Sequence, residues 1–164
     1  SVIGQGAEIR IPEGLESVDY EAELAVVIGR RAHAVSPAEA ESRVLGYVCA
    51  NDVTSRVLQR KDGQWTRAKG FDTFCPLGPW VETDVDPRDL LVESYVNGEL
   101  RQHARTSDMI FDPFELVSFV SHVMTLLPGD VVLTGTPSGI GPLVRGDVVE
   151  VRIEGIGSLV NRVV

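Results

Sequence analysis

Only two cysteines occur in the 164 residues, Cys49 and Cys75, and they form no Cys-x-x-Cys pair. This excludes a disulfide framework and a thiolate zinc site, and leaves two reduced thiols in apolar surroundings, as in a cytoplasmic protein. Positive charge is also scarce, with 15 Lys and Arg against 24 Asp and Glu, for a net charge of −9. The one basic concentration is Arg60, Lys61, Arg67 and Lys69, too little to form the face a nucleic-acid binder needs. No apolar stretch approaches the roughly 20 residues of a membrane-spanning helix, and Leu24–Ile28 is only strand length. The first residues show no basic start, apolar middle and small-residue cleavage site. Repeats, low-complexity tracts and linkers are missing too, so residues 1–164 read as one domain with a core. An acidic protein that handles an anionic substrate needs a local positive centre, from a metal ion or a few placed cations.

What is present is mostly strand. Ala22–Arg30, Leu45–Val53, Gly78–Thr83 and Leu90–Val96 are rich in Val, Tyr and Trp. Asn97-Gly98 is a two-residue hairpin signal joining Leu90–Val96 to Glu99–His103. Asp130–Thr136, Gly146–Glu154 and Ser158–Val164 complete the set. Two helices announce themselves by capping boxes with proline at the first helical position, Ser36-Pro37-Ala38-Glu39 and Asp112-Pro113-Phe114-Glu115. Gly46 marks the stop region of the first, and Pro128-Gly129 that of the second. In the second, Phe114, Val117, Val120, Val123, Met124 and Leu127 form the expected core face, with Glu115, Ser118, Ser121, His122 and Thr125 opposite.

Four segments carry chemistry. In Tyr20-Glu21-Ala22-Glu23-Leu24 the two carboxylates share one face of a strand. The apolar run that follows marks that strand as buried on both sides, where two like charges need a cation between them; a solvated strand edge is the alternative. Asp52 follows a second apolar strand and offers a third oxygen. A set of three carboxylates suits a hard cation, Mg²⁺, Mn²⁺ or Ca²⁺. Arg56 and Gln59 lie four and seven residues on, which places them on one face of a helical turn. Lys69, boxed by Trp65, Phe71 and Phe74, is either a partly desolvated anion contact or a snorkelling surface lysine. Thr134-Gly135-Thr136-Pro137-Ser138-Gly139 lets backbone come close to a ligand, but lacks the lysine and helix of a phosphate loop.

YEAEL, NDVTSR, AKGFDTFCPLGPW and LTGTPSGIG, in this order, make the whole chain resemble the fumarylacetoacetate hydrolase family. The resemblance implies a mainly β fold with two short helices, a mixed β-sandwich roll, normally a homodimer. It implies metal ligation by Glu21, Glu23 and Asp52, substrate contacts at Arg56, Gln59, Lys69 and Thr136, and a catalytic Lys69. The substrates implied are small 2-oxo acids or their enols. The lead activity is isomerisation of 2-hydroxyhepta-2,4-diene-1,7-dioate or decarboxylation of its 5-oxopent-3-ene-1,2,5-tricarboxylate precursor. Acylpyruvate hydrolysis, oxaloacetate decarboxylation and a non-catalytic metal-binding role are the alternatives. Family members usually carry a His and Glu base pair on a mobile segment upstream of the metal strand. No histidine precedes Glu21, and His33, His103 and His122 fit no such motif, so that lid is expected ahead of Ser1.

Overall fold

The computed structural model describes residues 1–164, and its strands follow the apolar patterning. They are β1 (Val2–Ile3), β2 (Glu8–Ile9), β3 (Val18–Tyr20), β4 (Ala22–Ile28), β5 (Val44–Asn51), β6 (Thr54–Ser55), β7 (Cys75–Glu82), β8 (Leu91–Val96), β9 (Glu99–Arg105), β10 (Val131–Leu133), β11 (Gly141–Pro142), β12 (Val148–Ile153) and β13 (Gly157–Val163). One five-stranded sheet has the order β1-β7-β5-β4-β10, a second the order β2-β13-β12-β8-β9, and β11-β3-β6 forms a small third sheet. Pairing is mixed: β1 with β7 and β13 with β2 are parallel, the rest antiparallel. The expected mixed sandwich roll is the fold found.

The main core lies between the two large sheets. Leu24, Val26, Ile28, Tyr47 and Cys49 from one meet Val92, Val151, Ile153 and Leu159 from the other. Every residue of β4 is buried, which is why its sequence after Glu23 is continuously apolar rather than alternating. Burial pushes the Cys49 thiol up to about 12, so it is an inert core group. No helix is long and apolar enough to cross a membrane.

Both capping boxes form, at α1 (Pro37–Ala40) and at α4 (Pro113–Val123). Two further short helices, α2 (Arg56–Asp62) and α3 (Thr66–Lys69), follow β6 and carry Arg56, Gln59 and Lys69. Asn97 and Gly98 both have positive φ, as the expected hairpin turn requires.

The structure corrects three expectations. Gly46 does not end the first helix but lies inside β5, where a Cβ would come within 2.2 Å of the Glu82 carbonyl. Glycine is there for the close approach of β5 and β7. The helix α4 ends at Val123, before Pro128, because Leu126 leaves to pair with Ala32. Its buried face is also rotated: Phe114, Val117, Ser118 and Ser121 face inward, while Phe119, Val123, Met124 and Leu127 are exposed. The Ser118 hydroxyl donates to the Val35 carbonyl and the Ser121 hydroxyl accepts from the Val35 N–H, so the loop 32–36 satisfies both serines in the interior.

Three pairings position the functional end of the sheet. Antiparallel β4 and β5 align Ala22 with Asn51, which brings Glu21 and Asp52 to the same end. The Asp52 N–H donates to the Glu21 carbonyl at 2.9 Å, and the Glu21 N–H donates to Asn51 Oδ1 at 2.9 Å. On the other side of β4, Leu133 of β10 aligns with Ala25, so the segment after it turns back over Glu23.

Candidate metal centre and active site

One carboxylate oxygen from each of Glu21, Glu23 and Asp52 falls within 4.8 Å of the others. Glu21 and Glu23 are buried and Asp52 is half-buried. Arg56 donates from Nε to Asp19 Oδ2 at 2.8 Å, from Nη1 to Gln59 Oε1 at 2.9 Å, and from Nη2 to Glu21 Oε1. Lys69 Nζ donates to Glu21 Oε2 at 2.9 Å and to Asp52 Oδ2. The Trp65 ring lies 5.8 Å from the same ammonium. Glu23 has no basic partner; the Gly135 N–H donates to its Oε2 at 2.7 Å.

Charge bookkeeping shows what this set lacks. Four carboxylates (Asp19, Glu21, Glu23, Asp52) meet two cations (Arg56, Lys69), which leaves two negative charges in a largely buried cluster when all four are ionised. That residue, and an all-oxygen donor set without cysteine or histidine, fit a hard divalent cation. Burial, then the nearby Asp52, pushes the Glu23 carboxyl up to about 8. Burial also raises Asp52, against the hydrogen bond from Lys69. Burial pulls the Lys69 ammonium down, but its hydrogen bonds to Asp52 and Glu21 outweigh that and hold it above its ordinary value. It stays charged at neutral pH.

A proton on Glu23 must leave when a cation binds. Between its unfolded value near 4.5 and about 8 the folded, metal-free protein holds more protons than the unfolded chain, so its stability falls as pH rises through that window. Binding of Mn²⁺ at pH 6.5 is expected to release a proton from Glu23, and at pH 9 to release none from it. Calorimetry in buffers of different ionisation heat measures this; equal proton release at the two pH values would contradict the assignment.

The turn after β10 is held from behind. Thr134 Oγ1 donates to the Leu24 carbonyl at 2.7 Å, and Thr136 Oγ1 to the Ala22 carbonyl at 2.8 Å. Gln102, buried in β9, donates to Thr136 Oγ1 at 2.8 Å and to the Pro137 carbonyl at 2.9 Å, and accepts from the Ala22 N–H at 3.1 Å. The Thr136 hydroxyl hydrogen is therefore spent inside the protein, and so are the Thr134 and Gly135 N–H groups, on the Leu24 carbonyl and on Glu23. Replacing Gln102 with alanine strands the buried Ala22 N–H and frees the turn. It is expected to cost about 2–3 kcal/mol of stability by denaturant titration; a loss under about 0.5 kcal/mol would show that water replaces the amide.

The structure thus gathers Glu21, Glu23, Asp52, Arg56, Gln59 and Lys69 into one cluster, with Thr136 on the turn whose Gly135 holds Glu23. Asp19 and Gln102 were missed as members. The histidines are elsewhere: His33 meets Thr125, His103 meets Glu93, and His122 meets the Ser118 carbonyl.

The sequence profile of the fumarylacetoacetate (FAA) hydrolase C-terminal family matches residues 1–164. The chain belongs to this family. Among solved structures, 2-hydroxyhepta-2,4-diene-1,7-dioate isomerase from Mycobacterium marinum is 56% identical with a TM-score of 0.98, covering 99% of this chain and 65% of that one. The 5-carboxymethyl-2-hydroxymuconate delta-isomerase from Mycobacterium smegmatis is 54% identical, also at 0.98, with coverage of 99% and 65%. Fumarylpyruvate hydrolase from Pseudomonas aeruginosa, solved in complex with Mn²⁺ and pyruvate, is 35% identical at 0.92, covering 100% of this chain and 74% of its own. The chain spans a little under two thirds of the length of the first curated relatives it matches, 63% and 64%.

Proposed function

We propose that this protein is a divalent-cation-dependent enzyme acting on small 2-oxo acids and their enols, working as a homodimer. The reaction proposed is isomerisation of 2-hydroxyhepta-2,4-diene-1,7-dioate, or decarboxylation of 5-oxopent-3-ene-1,2,5-tricarboxylate, in aromatic-acid catabolism. The observation that carries the reading is the convergent carboxylate set of buried Glu21 and Glu23 and half-buried Asp52, with Lys69 beside it. The two isomerase neighbours support the choice of reaction.

A cation (Mg²⁺, Mn²⁺ or Ca²⁺) held by Glu21, Glu23 and Asp52 supplies Lewis acidity toward the carboxylate and adjacent oxygen of a 2-oxo acid. Lys69 has one N–H left after its two carboxylate contacts, and that donor offsets negative charge developing on the substrate oxygen. Arg56 uses three of its five donors on Asp19, Gln59 and Glu21, so two remain for a substrate carboxylate. Gln59 is fixed by Arg56 and orients with it. The turn offers the Thr136 N–H to a carboxylate, and Gln102 keeps the turn in place.

A second reading, hydrolysis of an acylpyruvate, is favoured by the hydrolase neighbour holding Mn²⁺ and pyruvate. It requires a general base that none of the three histidines supplies from its position here. Calorimetry with Mn²⁺ and oxalate, followed by spectrophotometric turnover of the diene-dioate, tests the proposal. Metal-dependent oxalate binding with loss of the diene absorbance is the expected result. Oxalate binding with turnover of an acylpyruvate alone would transfer the case to the hydrolase, and no cation binding by folded protein would end both.

A further inference from the structure

Glu21 and Asp52 stand opposite each other on neighbouring strands. The register that pairs Ala22 with Asn51 in β4 and β5 is also the one that pairs Asp19 with Thr54 in β3 and β6. One hairpin therefore runs without slippage from the first sheet into the small third sheet, with these two carboxylates at the passage. In an antiparallel ladder such a pair exchanges two backbone hydrogen bonds. Only one is made here: the Asp52 N–H donates to the Glu21 carbonyl at 2.9 Å.

The two groups of the other bond have each taken a side chain instead. The Glu21 N–H donates to Asn51 Oδ1 at 2.9 Å, and the Asp52 carbonyl accepts from Thr54 Oγ1 at 2.7 Å. Asn51 is 1% and Thr54 0% exposed. Asn51 Nδ2 has no partner, so this amide is buried at a cost that an apolar residue of its size does not carry. Its one contact is the acceptance of the Glu21 N–H. With the ladder bond exchanged, the chain turns tightly at Asp52, where the Val53 N–H donates to the Asn51 carbonyl at 3.0 Å and closes a three-residue turn. Opposite side chains of an unbroken ladder stand side by side, perpendicular to the sheet. The exchange at this one pair lets Asp52 leave that alignment while the N–H and carbonyl of both residues stay bonded.

We propose that Asn51 and Thr54 are positioning residues of the metal centre, holding the Glu21–Asp52 pair out of a regular ladder so that both carboxylates converge with Glu23 on one cation. They act through the backbone. Asn51 shares the sheet face of Ala22, turned away from that of Glu21 and Glu23, and the Thr54 hydroxyl hydrogen is used on the Asp52 carbonyl. The inference rests on the metal reading proposed above.

Calorimetry with Mn²⁺ and thermal unfolding without it test the pair, on the protein, Asn51→Leu, Thr54→Val, Thr54→Ser and the double variant Asn51→Leu/Thr54→Val. Asn51→Leu and Thr54→Val each strand one backbone group, and each is expected to lower Tm by about 3 °C or more and to weaken Mn²⁺ binding about 10- to 100-fold. Thr54→Ser keeps the hydroxyl and is expected to keep the affinity. In the double variant the Glu21 N–H and the Asp52 carbonyl are both free to close on each other. Its Tm should then recover above that of either single variant while Mn²⁺ affinity stays low. A role confined to stability would move the two readings together. Full Mn²⁺ affinity in the folded single variants, or its return with Tm in the double variant, overturns the proposal. Should the Asn51 variants not fold, Thr54→Val against Thr54→Ser decides, and equal affinity in those two overturns it. No Mn²⁺ binding by the unaltered folded protein overturns the metal reading itself, and this inference with it.

Discussion

Glu23→Ala is expected to weaken Mn²⁺ binding at least about 100-fold while leaving the metal-free protein folded and, above pH 8, no less stable. Both halves follow from one observation. Glu21 and Asp52 each have a cationic partner, Arg56 and Lys69 for the first and Lys69 for the second, whereas Glu23 has only the Gly135 N–H. Nothing within the protein neutralises it, so its charged form is costly until a cation arrives, and its carboxyl lies up near 8. Removing it takes away one oxygen donor of three. Loss of a group that merely orients a ligand already costs about 10- to 100-fold in affinity, so loss of a ligand itself sets that as the floor. The alanine also removes a group whose ionisation opposes folding at alkaline pH. Calorimetry with Mn²⁺ and thermal unfolding at pH 9, each with and without the ion, read the two halves separately. Retained affinity would remove Glu23 from the metal site. A folded-state collapse without metal would make it a structural residue.

Much of this arrangement was legible in the residues, and the limits have physical causes. The continuous apolar run of β4 and the paired glutamates at its start spoke through local chemistry: a strand buried on both faces leaves no bland place for two carboxylates. Capping boxes spoke for the same reason, because Ser36 and Asp112 meet partners three residues away. Gln102 was silent. It sits in β9 between exposed Arg101 and His103, and its partners are Ala22, Thr136 and Pro137, from 34 to 80 residues distant. Asp19 was silent likewise, since only the fold brings it to Arg56. The face of α4 was misread because hydrophobicity was equated with burial. Two serines paired to the loop at Val35 belong inside, while Phe119 and Val123 stay exposed. The strand expected over Asp130–Thr136 pairs only at Val131–Leu133, because Thr134 turns its hydroxyl back to the Leu24 carbonyl.

Lys69→Met is expected to do the opposite of Glu23→Ala at the metal while still stopping turnover. The ammonium bridges Glu21 and Asp52, two of the three groups assigned to the cation, and so competes with it for the charge of the same carboxylates. Methionine keeps the length and the apolar stem beside Trp65 but leaves those carboxylates unpaired. Mn²⁺ affinity should therefore rise, since the cation no longer displaces a bound ammonium and a more negative cluster remains. Turnover should fall by about 100- to 1000-fold, the usual cost of losing one donor aimed at a developing oxyanion. Oxalate binding in the presence of Mn²⁺ should weaken less than turnover does, because charge that develops only during reaction is what Lys69 serves. Calorimetry and steady-state rates on the variant separate these effects. If metal affinity and turnover fall together, the lysine holds the ligand shell in place. If metal affinity rises and kcat is unchanged, Lys69 only fills the cluster until a cation arrives. A higher affinity with a collapsed kcat assigns it to the chemical step.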